Sequence, residues 1–210
     1  MKWIELSSWK RKNHYELFKS YQKPHFNVTF ELDITSFYEW CKGKNYPFFL
    51  TFLHEVMKVA NQIEAFLLRI RGDGVVIHDV VHASFTMMLE TGLFRFIRAN
   101  YQDDLESFIE ETTKVMQAST DVDLIDEDGI DDLVFVTTLP WVPFTSIEHA
   151  MPLKEGDSFP RISWGKFHFV GEKRMIPFSV SAHHALVDGV DVGVFYEQLQ
   201  RMLMNYLEKI

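Results

Sequence analysis

The sequence predicts an α/β protein in which helices cover one face of a large mixed β-sheet, a two-layer sandwich. Three observations lead there. Phe26, Val28, Phe30 and Leu32 alternate with polar residues, the period of a half-buried strand. After Pro47, the residues Phe48, Phe49, Phe52, Val56 and Val59 recur at helical spacing instead. More strand-length apolar runs follow, with helical stretches before, between and after them. No repeat, low-complexity tract or linker divides these stretches, so one domain is expected over residues 1–210.

Taken in order, Ser7 and Ser8 are candidate caps for a first helix through Phe18, and Pro24 then breaks the chain before the strand at 26–32. Thr35 is a candidate cap for a short helix to Lys42, and Pro47 opens a second helix that runs to about Gln62. Arg71-Gly72-Asp73-Gly74 separates the apolar runs Phe66–Ile70 and Val75–Ile77 and predicts a hairpin turn. Strands are expected at Ser84–Leu89 and Leu93–Ile97, then a helix from Asp103 to Ala118. Three further apolar runs, Leu133–Leu139, Arg161–Phe169 and Met175–Ala182, read as strands, with Gly171-Glu172-Lys173 turning between the last two. A helix from Val190 to Leu207 closes the chain. If the sheet's second face is apolar, it requires partner subunits or a deep ligand site, in keeping with 19 Phe and 15% aromatic residues.

Composition excludes several classes of function. The net charge of −9 argues against a nucleic-acid backbone as partner, so an anionic ligand must find local positive charge. No run approaches the ~18 uncharged apolar residues of a membrane span, and the first residues lack the pattern of a signal peptide. Cys41 is the one cysteine and reads as a packing residue, which with the preceding points predicts a cytoplasmic protein. Asp121, Asp123, Asp126, Glu127, Asp128, Asp131 and Asp132 crowd together without the ligand order of a calcium loop, so they read as a solvated loop. His54-Glu55 is followed by Lys58 where a zinc helix needs a second histidine, and His54 reads as structural or surface. No metal is expected.

Chemistry is expected at His183-His184-Ala185-Leu186-Val187-Asp188-Gly189, between the last strand and the last helix. Adjacent histidines are ordinarily a packed or solvated pair. An imidazole at such a junction is also placed to take a proton from a hydroxyl and give it back within one turnover.

This H-x-x-x-D-G segment is joined, in order, by Trp9-Lys10-Arg11-Lys12-Asn13-His14-Tyr15, Leu32-Asp33-Ile34-Thr35, Thr138-Leu139-Pro140-Trp141-Val142 and Ile162-Ser163-Trp164-Gly165-Lys166-Phe167. With these segments the chain resembles the type A chloramphenicol acetyltransferase family over almost its whole length. H-x-x-x-D-G alone also marks acyltransferase cores of 2-oxo acid dehydrogenases and peptide-synthetase condensation domains. The former normally carry lipoyl domains and the latter are about twice as long.

The resemblance implies a homotrimer with active sites between subunits and direct acetyl transfer from acetyl-CoA to a small-molecule hydroxyl. It makes His184 the general base and His183 its structural neighbour. Asp188 lies where an Asp–His dyad is tempting, but the resemblance pairs it with Arg11 in support of the catalytic loop. Thr137, standing for a family serine, is implied as the oxyanion donor, and Ser163, standing for a threonine, as the holder of a water. Lys44 and Lys166 are implied at the 3′-phosphate of CoA. The acceptor pocket departs from the family pattern. Leu17-Phe18 replaces an aromatic pair, Phe135 an asparagine, Ile147 a phenylalanine, and Glu90 an uncharged amide. The resemblance as a whole implies chloramphenicol acetylation and antibiotic resistance. Its alternatives are another small hydroxylated acceptor, a non-catalytic trimer binding CoA or antibiotic, and an acyltransferase core serving lipoyl partners.

Overall fold

A computed structural model describes residues 1–118, 129–151 and 156–206. In chain order its elements are β1 (Lys2–Trp3), α1 (Lys12–Phe18), β2 (His25–Asp33), α2 (Thr35–Lys44), α3 (Phe48–Ala60), α4 (Glu64–Leu67), β3 (Leu68–Arg71) and β4 (Gly74–Ile77). They continue as β5 (His82–Met88), β6 (Phe94–Ala99), α5 (Leu105–Ala118), β7 (Leu133–Leu139), β8 (Arg161–Gly165), β9 (His168–Val170), β10 (Lys173–His183) and α6 (Gly189–Met204). The large sheet has the order β2-β10-β8-β7-β5-β6, with β9 beside β10, and β1-β4-β3 form a small second sheet. It is mixed as expected: β7 runs parallel to β5 and β8, while β10 is antiparallel to β2, β8 and β9.

Strand alternation decides which side chains meet the helices. Phe178 and Trp164 are register partners on β10 and β8. Phe52 of α3 packs against both rings, and Phe195 of α6 packs against Phe178 and Phe66. Phe52, Phe178 and Phe195 are fully buried. Each such side chain stabilises the fold by about 1.5–3 kcal/mol relative to exposure.

The opposite face of the central strands differs from an apolar surface. It carries His25, Asn27 and Thr29 on β2, Ser179, Ser181 and His183 on β10, Arg161 and Ser163 on β8, and Phe135 and Thr137 on β7. Part of it is covered by chain 141–151: Ile147 O accepts from Asn27 Nδ2 at 2.7 Å and Val142 O accepts from Lys166 N at 3.0 Å. Gly165 allows this crossing. A Cβ there would lie 2.6 Å from Val142 O and 3.0 Å from Phe144 Cδ1.

Several element boundaries differ from the sequence reading, each for a local reason. The first helix starts at Lys12, because the Ser7 and Ser8 hydroxyls bond back to Glu5 and leave residues 7–11 in turns. Asp33 supplies the acceptor at the start of α2, taking bonds from Thr35 N and Oγ1, and the helix continues past Lys42 to a left-handed Asn45. Phe66 and Leu67 lie in α4 and so do not extend β3. The expected strand 161–169 breaks at Lys166, whose amide turns to Val142 O. The hairpin at residues 71–74 forms with Gly72 at φ 54° and Arg71 opposite Gly74.

His54 is buried between Glu55 Oε1 and Gln102 O, a structural role. Asp131 pairs with Arg71 and Asp132 with Arg98; Asp121, Asp123, Asp126, Glu127 and Asp128 lie outside the described residues, as does Leu207. No helix among the described residues is long and apolar enough to cross a membrane.

Candidate active site

β10 delivers His183 and His184 to the end of the sheet, and the next residues turn at once into α6. Asp188 caps that helix through Val190 N at 3.0 Å, and Asp191 returns the contact by accepting from Asp188 N at 2.8 Å. This is a capping box, which satisfies amide groups that the helix itself leaves open. Arg11, at the start of α1, reaches the same loop from outside. Its Nη1 donates to Asp188 Oδ2 at 2.8 Å, its Nε to Ala185 O at 3.0 Å and its Nη2 to His184 O at 3.0 Å. The Arg11 bond holds the Asp188 carboxyl below its ordinary range, whereas burial raises Asp191.

His184 Nδ1 lies 3.1 Å from Val187 O. A carbonyl only accepts, so the neutral ring carries its hydrogen on Nδ1 and leaves a lone pair on Nε2. Phe18 stacks on the ring at 4.2 Å between centroids, Phe26 flanks it at 4.7 Å, and His184 N donates to Pro24 O at 2.8 Å. Asp188 contacts Arg11 and the start of α6, so no Asp–His dyad forms within the loop. His183 is buried; its Nδ1 accepts from Ala185 N, and its ring meets His25 edge-on at 5.2 Å. Burial lowers both of these rings to about 4, helped at His25 by Arg161 and at His183 by His25.

A second cluster occupies the polar face. Thr137 and Ser163 are register partners on β7 and β8, and Ser163 Oγ lies 3.0 Å from His149 Nε2. Phe135 packs on Phe159 and under Arg161, which pairs with Asp157 at 2.6 Å. Ile147 is half-buried over the same face.

The two clusters are apart within one chain. Ser163 lies opposite Ser179, four residues before His183 on β10, and Thr137 is one strand further away. At ~3.3 Å per residue and ~4.8 Å per strand, His184 stands roughly 17 Å from Ser163 and roughly 19 Å from Thr137. Leu17 and Phe18 belong to the His184 end, with Leu17 exposed. Glu90 is exposed in the β5–β6 turn, at the opposite end of the sheet from His184. Lys44, in the last turn of α2, and Lys166, after β8, are exposed and take no ion-pair partner among the described residues.

His149, His25 and Asp191 carry no sequence motif, and the motif-led reading missed them. Asp191 was recoverable as the fourth residue of a capping box beginning at Asp188. His149 had no signal, because only the crossing of chain 141–151 over Gly165 brings it to Ser163. No cluster of potential metal ligands occurs among the described residues.

A solved dihydrolipoamide acetyltransferase from Azotobacter vinelandii shares the fold at TM-score 0.70 and 15% identity, over 88% of this chain and 84% of that one. A solved chloramphenicol acetyltransferase matches at TM-score 0.90 and 27% identity, over 97% of this chain and all of that one, 100%. The family model described as chloramphenicol acetyltransferase matches residues 1–200. A chloramphenicol acetyltransferase from Klebsiella sp. is 30% identical over 200 residues, 94% of this chain and 91% of the relative. The chain belongs to the chloramphenicol acetyltransferase family.

Proposed function

We propose that this chain transfers acetyl from acetyl-CoA directly to a hydroxyl of chloramphenicol, with His184 as general base. The observation that carries the proposal is the orientation of His184: its Nδ1 faces Val187 O, so Nε2 is left as the basic atom. Nε2 takes the proton of the acceptor hydroxyl as the hydroxyl oxygen attacks the thioester carbonyl carbon. The oxyanion that forms accepts a hydrogen bond from the Thr137 hydroxyl. The intermediate then collapses, the C–S bond breaks, and the CoA sulfur takes the proton from His184. Ser163 holds a water beside this centre, Arg11 and Asp188 fix the loop, and Lys44 and Lys166 attract the phosphate of CoA to a protein of net charge −9.

The site is completed by a second copy of the chain. The base and the oxyanion donor must each lie at hydrogen-bond distance, about 3 Å, from oxygens of the same tetrahedral centre, and within one chain His184 and Thr137 are too far apart to do so. A neighbouring copy that sets its polar face against the His184 loop closes that gap, in a trimer of cytoplasmic chains with three interface sites. In a host, the acetylated antibiotic is inactive and resistance follows.

The pocket around the acceptor is Phe135, Ile147, Leu17, Phe18 and Glu90. Its changed polar points favour a second reading, acetylation of a different small hydroxylated molecule. CoA thiol release with acetyl-CoA and chloramphenicol tests the first. Wild type should release thiol continuously and His184→Ala should lose at least ~10³-fold. Release with another alcohol but none with chloramphenicol supports the second reading, and equal release by both proteins rejects His184 as base.

A further inference from the structure

A serine hydroxyl has three staggered positions of similar energy, whereas the branched side chain of threonine restricts them. Ser163 therefore needs an external partner to hold its hydroxyl in one direction. It is fully buried on β8, between Thr137 of β7 and Ser179 of β10. Ser179 Oγ donates elsewhere, to Asn27 Oδ1 at 2.6 Å. The partner that remains is His149 Nε2 at 3.0 Å.

His149 lies on chain 141–151, which Asn27 and Lys166 tie down through Ile147 O and Val142 O. Burial and the nearby Arg161 guanidinium lower the pKa of the ring, so it is neutral near pH 7. With Nε2 engaged, Nδ1 remains. It takes no hydrogen-bond partner among the described residues, and it faces an acceptor either as donor or as lone pair. Phe135, on the same sheet face, and Ile147, on the same covering chain, are apolar, and a few polar points orient a ligand in an otherwise apolar cleft.

We infer that His149 positions the Ser163 hydroxyl and offers its second ring nitrogen to the acceptor, selecting alcohols that carry another polar group beside the reacting hydroxyl. The inference rests on the acetyltransferase reading above. His149 is a positioning and specificity residue, separate from the base His184.

Glutamine places an amide nitrogen near the position of imidazole Nε2, whereas the shorter asparagine does not reach Ser163. His149→Gln, His149→Asn and the double variant His149→Asn with Ser163→Thr therefore separate the roles, with kcat and KM measured for chloramphenicol and for acetyl-CoA. H149N should lose about tenfold in kcat/KM for the acceptor, H149Q about threefold or less, and the added threonine should restore most of the kcat lost in H149N. The KM for acetyl-CoA should stay within about twofold in all three. Wild type should prefer a diol or hydroxy-amide over a mono-alcohol of equal size, and H149N should lose that preference. An H149N protein with wild-type kinetics, or a loss that S163T does not relieve, overturns the inference.

A readout independent of turnover keeps this test apart from that of the acetyltransferase reading. Long-range proton–nitrogen spectra of wild type should show His149 in one neutral tautomer, and Ser163→Ala should convert it to a mixture. A tautomeric mixture in wild type overturns the inference even if chloramphenicol is no substrate. A single tautomer with no transfer to any alcohol sinks the acetyltransferase reading alone.

Discussion

Arg11 directs three nitrogens to three oxygens of one short loop, so its loss releases more than an ion pair. His184 O and Ala185 O lose charged donors, and the Asp188 carboxylate keeps only the cap of α6. The Arg11 and Asp188 side chains are 15% and 36% exposed, so solvent moderates the cost of an unpaired charge. Arg11→Ala is expected to lower stability by about 1–3 kcal/mol and kcat by at least tenfold, because Nε2 of His184 is aimed by the loop that Arg11 holds. Asp188→Asn keeps a side-chain oxygen for Val190 N and should cost less stability than Asp188→Ala. Thermal unfolding beside thiol-release kinetics checks both. If R11A unfolds and turns over like wild type, the clamp has no function.

Among the elements, Gly165 is where the covering chain and the sheet touch. Gly165→Ala puts a methyl group against backbone, Val142 O at 2.6 Å, and a backbone atom cannot swing aside as a side-chain end does. The expected cost is about 1–3 kcal/mol, taken up by displacement of chain 141–151. Because Ile147 and His149 ride on that chain, the acceptor KM should rise several-fold while the acetyl-CoA KM changes little. Equal effects on both substrates, or none, would show that the crossing does not shape the acceptor site. The strand at Phe26–Leu32 and the helix after Pro47 could be read in the sequence because a buried face imposes its period on neighbouring residues. The start of α1 could not, since Ser7 and Ser8 serve Glu5 instead of the helix. The break after Gly165 was hidden as well, because its cause, Val142 O, lies more than twenty residues earlier in the chain. At the site, the clamped His184 loop is local and readable, while the Ser163–His149 contact depends on a long return of the chain.

At the scale of the molecule, the polar face buries groups whose titration sets acid stability. His25 and His183 are held at about 4 by burial, while an unfolded imidazole titrates near 6.5. Above pH ~6.5 both states are neutral and these groups add no pH dependence. As the pH falls from ~6.5 towards 4, the unfolded chain binds protons that the folded chain refuses, so stability falls by up to about 1.4 kcal/mol per pH unit for each ring. The melting temperature should be level from pH 8 to 7 and decline below 6.5. His183→Gln should make that slope shallower, and an unchanged slope would show that His183 protonates freely in the fold.

The proposed interface site on the same face can be tested through the way copies combine. A site closed within one chain and a site closed between chains make opposite predictions for a mixture of two inactive variants. In the proposed mechanism, His184→Ala lacks the base and keeps the hydroxyl face, whereas Thr137→Ala lacks the oxyanion donor and keeps the base. In randomly mixed trimers, a site is intact when the first of two neighbouring copies supplies His184 and the second supplies Thr137. With equal amounts of each variant that occurs in about one quarter of the sites, so co-refolded protein should recover about a quarter of wild-type activity. The two variants mixed without subunit exchange should stay inactive. If the co-refolded mixture is also inactive while its mass confirms mixed trimers, His184 and Thr137 act within one chain. The separation of roughly 19 Å set by the strand register must then close through a rearrangement of the β10–α6 loop.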